Sequence, residues 1–178
     1  MNRSTTTKTA EIGALIAATV VTAWTLRSIS SWRGALADPC LIAIIASVGT
    51  IAFLWGSVWF GPRALKAELM LLAAFLLAMP FVYAARYLFV MNAAIQWKWL
   101  GLESVGIPLF AVPALRGLKR SPWFLALGIA AHGLGWDMWH YKNSAYIPNW
   151  YSAFCFLLDL ALAMYVSARL AYGRTRRI

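Results

Sequence analysis

LIAIIASVGTIAFLWGSVWF, residues 41–60, runs for twenty residues without a charge. A helix rises about 1.5 Å per residue, so a run of this length crosses the roughly 30 Å hydrocarbon core of a bilayer. The stretch is apolar throughout and lacks the in–out alternation of a barrel strand, and a helix bonds its own backbone in lipid.

Working outward from it, six such runs are separable by polar punctuation, at about 10–29, 36–60, 68–90, 99–115, 122–140 and 148–172. Gly61 and Pro62 break the chain after the second run, and Pro122 and Pro148 fall at first-turn positions, where a missing N–H costs nothing. The expected fold class is therefore all-α: one transmembrane domain over residues 1–178, an integral membrane bundle of six helices. The chain is 62% hydrophobic and only 12% charged. A soluble domain carries about a quarter charged residues and could not hide so much apolar surface.

The net charge of +10 would suit nucleic acid, but most basic residues sit in the short gaps between apolar runs, as topology-setting charges do. No nucleic-acid partner is expected. Eleven Lys and Arg fall on one side, among them Arg3, Lys8, Arg63, Lys66, Arg116 and Arg169. Five fall on the other: Arg27, Arg33, Arg86, Lys98 and Lys142. The positive-inside rule then puts both termini in the cytoplasm, and the expected location is the bacterial inner membrane. MNRSTTTK before an apolar run has the outline of a secretory signal, yet no small-residue cleavage site follows, so it reads as an uncleaved first span. Cys40 and Cys155 read as buried thiols rather than a disulfide framework.

The chemistry concentrates in AHGLGWDMWHYKNSAYIPNWYSAFCFLLD, residues 131–159, which holds both histidines and two of the six acids. An ionisable group at mid-span costs roughly 2.5–3.5 kcal/mol on insertion scales, so each is a functional candidate. His132, Trp136 and His140 repeat every four residues, with Asp137 beside the stripe. His132 and His140 are about 12 Å apart along the axis, too far to share one metal, and no metal or cofactor is assigned. Asp159 lies roughly 15 Å into the sixth span and His132 about 12 Å into the fifth from the same side. Antiparallel neighbours would bring them level as a His–Asp pair. Asp137 and His140, three apart, form a second and shallower pair. Arg86 and Glu103, of opposite charge at similar depth, would neutralise each other.

Trp32, Trp97, Trp99, Trp136, Trp139 and Trp150 crowd the outer ends with Tyr141, Tyr146 and Tyr151, more than a symmetric interfacial belt requires. The fourth run carries Gly101, Gly106, Pro108 and Pro113 and should be kinked. Glu68 reads as a carboxylate at a helix N-terminus, Asp38 as a cap for the second helix, and Asn92 and Gln96 as loop residues. The inner half reads as almost purely apolar apart from its ends. No phosphate-binding glycine motif is present.

The pattern Trp136-Asp137-x-x-His140, then Pro148-x-Trp150-Tyr151, Cys155 and Asp159, resembles a motif of small uncharacterised bacterial multi-pass membrane proteins, a domain-of-unknown-function group. The resemblance covers about residues 128–165 and implies a site there without naming a substrate; Tyr141 stands where that pattern often has a second His.

Three functions fit these residues. The first is an acid–base enzyme acting on a lipid or isoprenoid, with His132, Asp159, Asp137 and His140 catalytic. Arg86, Glu103, Trp136, Trp139, Trp150 and Tyr151 would then bind substrate. The second is a non-catalytic or lipid-binding subunit of a larger membrane complex or homo-oligomer. The third is a proton-coupled small transporter, which needs polar lining through the whole membrane.

Overall fold

The computed structural model describes residues 3–29, 38–91 and 97–175. Trp32, Arg33, Asn92 and Gln96 lie outside them. Every element among the described residues is helical. The order is α1 (Arg3–Ser28), α2 (Pro39–Phe60), a 3₁₀ turn (Gly61–Ala64), α3 (Leu65–Met91), α4 (Trp97–Lys119), α5 (Trp123–Ala131), a π-helical segment (His132–Asp137), α6 (Met138–Asn143) and α7 (Asn149–Thr175). α5, the π segment and α6 follow without a break, so the described chain makes six rods.

Four rods are long and apolar enough to cross a membrane by length and composition: Lys8–Ser28, Pro39–Phe60, Leu65–Phe89 and Asn149–Ala171. α4 is long enough but carries Lys98, Glu103, Arg116 and Lys119, and the α5–π–α6 rod carries the two histidines and Asp137. Charge and polar chemistry set these two rods apart, not shortness. The three prolines inside helices, Pro80 in α3 and Pro108 and Pro113 in α4, leave those helices unbroken.

Rods adjacent in sequence pack together, and α7 closes the circuit against α1 and α5. Several hydroxyls in the apolar rods are satisfied within their own helix. Thr19, Thr22 and Thr25 each donate to the carbonyl four residues back, at 2.7, 2.8 and 2.9 Å, which removes the cost of a bare hydroxyl in hydrocarbon. Trp55 Nε1 donates to Thr19 Oγ1 at 2.9 Å and ties α2 to α1. Asp38 caps α2 as expected, its Oδ1 accepting from the Cys40 amide at 3.0 Å.

At the end carrying both termini, Arg169 of α7 lies between Glu68 of α3 and Glu11 of α1. It donates to both Glu68 carboxylate oxygens and has Nη1 3.6 Å from Glu11 Oε2. Tyr165 donates to Glu68 at 3.0 Å. Glu68 lies in the first turn of α3, as expected for a carboxylate at a helix start. It is nonetheless buried, and the half of the bundle nearest the termini is less apolar than its composition suggests. Glu11 and Arg169 in contact also place the two termini at one end of the bundle.

Candidate functional site

At the opposite end, the π-helical segment sets the geometry. Widening the turn lets residues five apart face one neighbour, and His132 and Asp137 both turn to α7. His132 Nδ1 is 2.8 Å from Asp159 Oδ2 and 3.4 Å from Asp137 Oδ1. Tyr83 of α3 donates its hydroxyl to the same Asp137 oxygen at 2.6 Å. His132 and Asp137 are wholly buried and Asp159 is 1% exposed, so the group sits in a dry, low-dielectric setting where each contact is strong. α7 comes this close because residue 133 is glycine: a Cβ there would stand 2.9 Å from Asp159 Cβ and 3.3 Å from the Phe156 carbonyl oxygen.

A second pair lies beside the first. His140 is stacked at a tilt on Tyr83, ring centroids 4.3 Å apart, with Nε2 3.3 Å from Glu103 Oε1 but not aligned as a hydrogen bond. Tyr146, from the turn between α6 and α7, donates a short hydrogen bond to Glu103. Burial first, and then the Glu103 carboxylate, raise the Tyr146 pKa, so this phenol keeps its proton and acts as the donor. Trp99, Trp139 and Tyr146 enclose this layer, Trp139 lying 5.0 Å from the His140 ring and 6.0 Å from Trp99.

His132 and Asp159 stand level on neighbouring helices and pair directly, as expected. Two other expected pairs do not form. Asp137 is turned by the π segment toward His132 and Tyr83, leaving His140 to Glu103. Arg86 pairs with Asp38 at 2.7 Å, not with Glu103, because helix rotation carries it to the α2 side of α3. Tyr83, Tyr146 and Asp38 are the polar partners that depth alone did not reveal. Trp136 and Tyr151 pack around the centre, Trp136 5.5 Å from the His140 ring and Tyr151 5.9 Å from Tyr83. Trp150 stands away from it, on a groove shared with Arg86.

Several buried atoms around the centre make no hydrogen bond: His132 Nε2, Asp137 Oδ2, Glu103 Oε2, both His140 nitrogens and Trp136 Nε1. Such atoms cost free energy unless a ligand or water meets them. One nitrogen of His132 and one oxygen each of Asp137 and Asp159 lie within 4.8 Å of one another, a donor set able to hold a metal ion. Consideration of the two histidines alone did not anticipate that set, since the π turn brings Asp137 in while His140 stays out.

On the outer surface of the bundle beside the centre, a groove of about 390 Å³ runs between α4 and α5, lined by Leu109, Pro113, Phe124 and Leu127. Phe110 and Trp136 form its inner wall. The Phe110 ring is 4.6 Å from the His132 ring and meets it edge-on. Trp136 lies flat enough on α4 that a Cβ on Gly106 would come within 2.8 Å of its indole. One layer of aromatic rings separates the groove from the ionisable groups. No known protein family, curated protein or solved structure matches the chain.

Proposed function

We propose that this is a six-span protein of the bacterial inner membrane with both termini inside, and that its outer half is the reactive centre of an enzyme working on a lipid or isoprenoid by proton transfer. The observation that carries the reading is the π-helical turn. It gives up regular helix geometry to set His132 beside Asp137 and Asp159 in a dry pocket, one aromatic ring behind a lipid-facing groove. π turns of this kind occur frequently at functional sites.

In this reading an apolar chain enters from the bilayer along the α4–α5 groove and displaces Phe110 or Trp136. His132 presents its unpartnered Nε2 to the reacting carbon or oxygen, while Asp159 at Nδ1 fixes the tautomer and stabilises the imidazolium that forms. Tyr83 holds Asp137 as the second carboxylate, and Glu103 with His140 is the polar contact for a headgroup. The aromatic faces of Trp136 and Phe110 would stabilise cationic character developing in an isoprenoid. The pattern that resembles a motif of uncharacterised multi-pass bacterial proteins is compatible with this placement, since its Trp136, Asp137, His140 and Asp159 all fall in or against the centre. A transport reading gains the buried Glu68–Arg169 group, but Leu158, Leu162 and Val166 of α7, all buried, occupy the stretch between the two polar layers.

The test uses nanodiscs of total bacterial lipid containing the full chain, beside Asp159→Asn and His132→Gln. Lipids are followed over time by mass spectrometry. A product that accumulates with the wild type and with neither variant supports the enzyme. If no lipid changes and all three proteins retain the same lipids, the enzyme reading fails in favour of an accessory subunit.

A further inference from the structure

A second groove, independent of the reactive centre, lies between α1 and α7. Its volume is about 740 Å³, within the roughly 300–1,000 Å³ of small-molecule sites. Trp24, Leu41, Phe154 and Leu157 are among its walls. It follows α1 from Val20 to Ile29 and α7 from Leu157 to Pro148, about 13 Å along each helix at 1.5 Å per residue.

The groove is apolar along its length and charged at one end. There Arg86 reaches in from α3 and Asp38 from the start of α2. Asp38 Oδ2 engages only Nη1 of Arg86; the guanidinium Nε is buried without a hydrogen bond, and the side chain is 16% exposed. Asp38 is committed on its other oxygen too, to the Cys40 amide. The carboxylate is thus held by two donors while the guanidinium keeps donors to spare. The first turn of α7 starts at the same end, Pro148 and Trp150 both lining the groove, and a helix start leaves N–H groups without intrahelical partners and a partial positive charge. An apolar trough capped by spare guanidinium and amide donors is complementary to an amphiphile with an anionic head.

We infer that the groove between α1 and α7 holds one phospholipid, its acyl chain along Trp24, Phe154 and Leu157 and its phosphate on Arg86 and the α7 N-terminus. Guanidinium suits phosphate because its planar donors meet two oxygens at once.

Native mass spectrometry of the full chain in detergent tests this, titrating dioleoylphosphatidylglycerol against dioleoylglycerol, which has the same chains and no phosphate. The wild type should take up one phospholipid at least about tenfold more tightly than the diacylglycerol, as one charge-assisted hydrogen bond allows. Arg86→Gln should lose that preference, and Leu157→Trp should remove the single site for both lipids by filling the trough. Asp38→Asn keeps the cap and frees the guanidinium, so it should bind phospholipid as well as the wild type or better. If Arg86→Gln does not fold, Asp38→Asn decides: weaker binding there would mean the pair is only structural. Equal preference in wild type and Arg86→Gln, or an unaffected Leu157→Trp, overturns the proposal. Displacement of the lipid by excess inorganic phosphate would likewise overturn it, as a simple anion site.

Discussion

His132 has two different faces. Nδ1 meets Asp159 at 2.8 Å, and Nε2 has no partner although the ring is wholly buried. A residue kept only to hold helices together would be expected to satisfy both nitrogens, because an orphaned buried polar atom costs about 1–3 kcal/mol. The pair should nonetheless contribute to stability. Removing one partner of a buried hydrogen-bonded pair leaves the other unsatisfied, at a cost of roughly 1–3 kcal/mol. Asp159→Leu should therefore be strongly destabilised, while Asp159→Asn, which can still hydrogen-bond the imidazole, should lose only about 1 kcal/mol. Thermal unfolding in detergent, followed by size-exclusion recovery, separates the two. If both variants unfold with the wild type, Asp159 does not hold α7 to the π segment. This contact was legible in the sequence because depth along two antiparallel spans fixes which residues are level. The partners of Arg86 and Glu103 were not legible, since level says nothing of rotation: Arg86 faces Asp38, and Glu103 faces Tyr146 and His140.

Among the elements, the α5–π–α6 rod departs furthest from what its sequence announces. Its length and apolar character mark a helix, and the residues 123–143 are helical without a break. What no periodicity reveals is one wide turn within it, since a π segment keeps the same composition while changing which residues share a face. Gly133 and Gly135 are the visible trace, and they are not equivalent. A methyl group on Gly133 would meet Asp159 Cβ at 2.9 Å, whereas one on Gly135 meets nothing within 4 Å. Gly133→Ala should force α7 away from the π segment and cost about 1–3 kcal/mol, the usual penalty of overpacking. Gly135→Ala should leave stability unchanged or raise it by up to about 1 kcal/mol through helix propensity. The comparison is made by the same unfolding measurement. Equal effects at both positions would show that the close approach of α7 is not what makes residue 133 intolerant. α4 illustrates the opposite limit. Pro108 and Pro113 lie inside α4, which continues as one helix from Trp97 to Lys119; Pro113 packs against α5, where a Cβ on Gly128 would lie 2.8 Å from it.

For the whole molecule, the two polar layers have different characters. Near the termini Arg169 is held between Glu68 and Glu11 and ties α1, α3 and α7 together, an arrangement suited to clamping. At the other end imidazoles and carboxylates lie behind an apolar surface groove with several donors and acceptors unspent. On the proposed reading, the orientation of the bundle decides which leaflet supplies the substrate. Arg169 is buried and Arg86 is paired with Asp38, so neither reports on the aqueous phase as a free loop charge does. Removing both from the tally leaves ten basic residues on the terminal side against four on the other, and the bias survives. Cysteine labelling makes the matter direct, because the two native thiols, Cys40 and Cys155, are buried and can be replaced. In that background, Asn143→Cys beside the α6–α7 turn should react in intact cells with a membrane-impermeant maleimide. Ser121→Cys in the α4–α5 turn should react only after permeabilisation. The reverse pattern would place the His132 centre in the inner leaflet and make its substrate a cytoplasmic-face lipid. Labelling of both sites in intact cells would mean that the α5–π–α6 rod does not span, and the six-helix topology would fail with it.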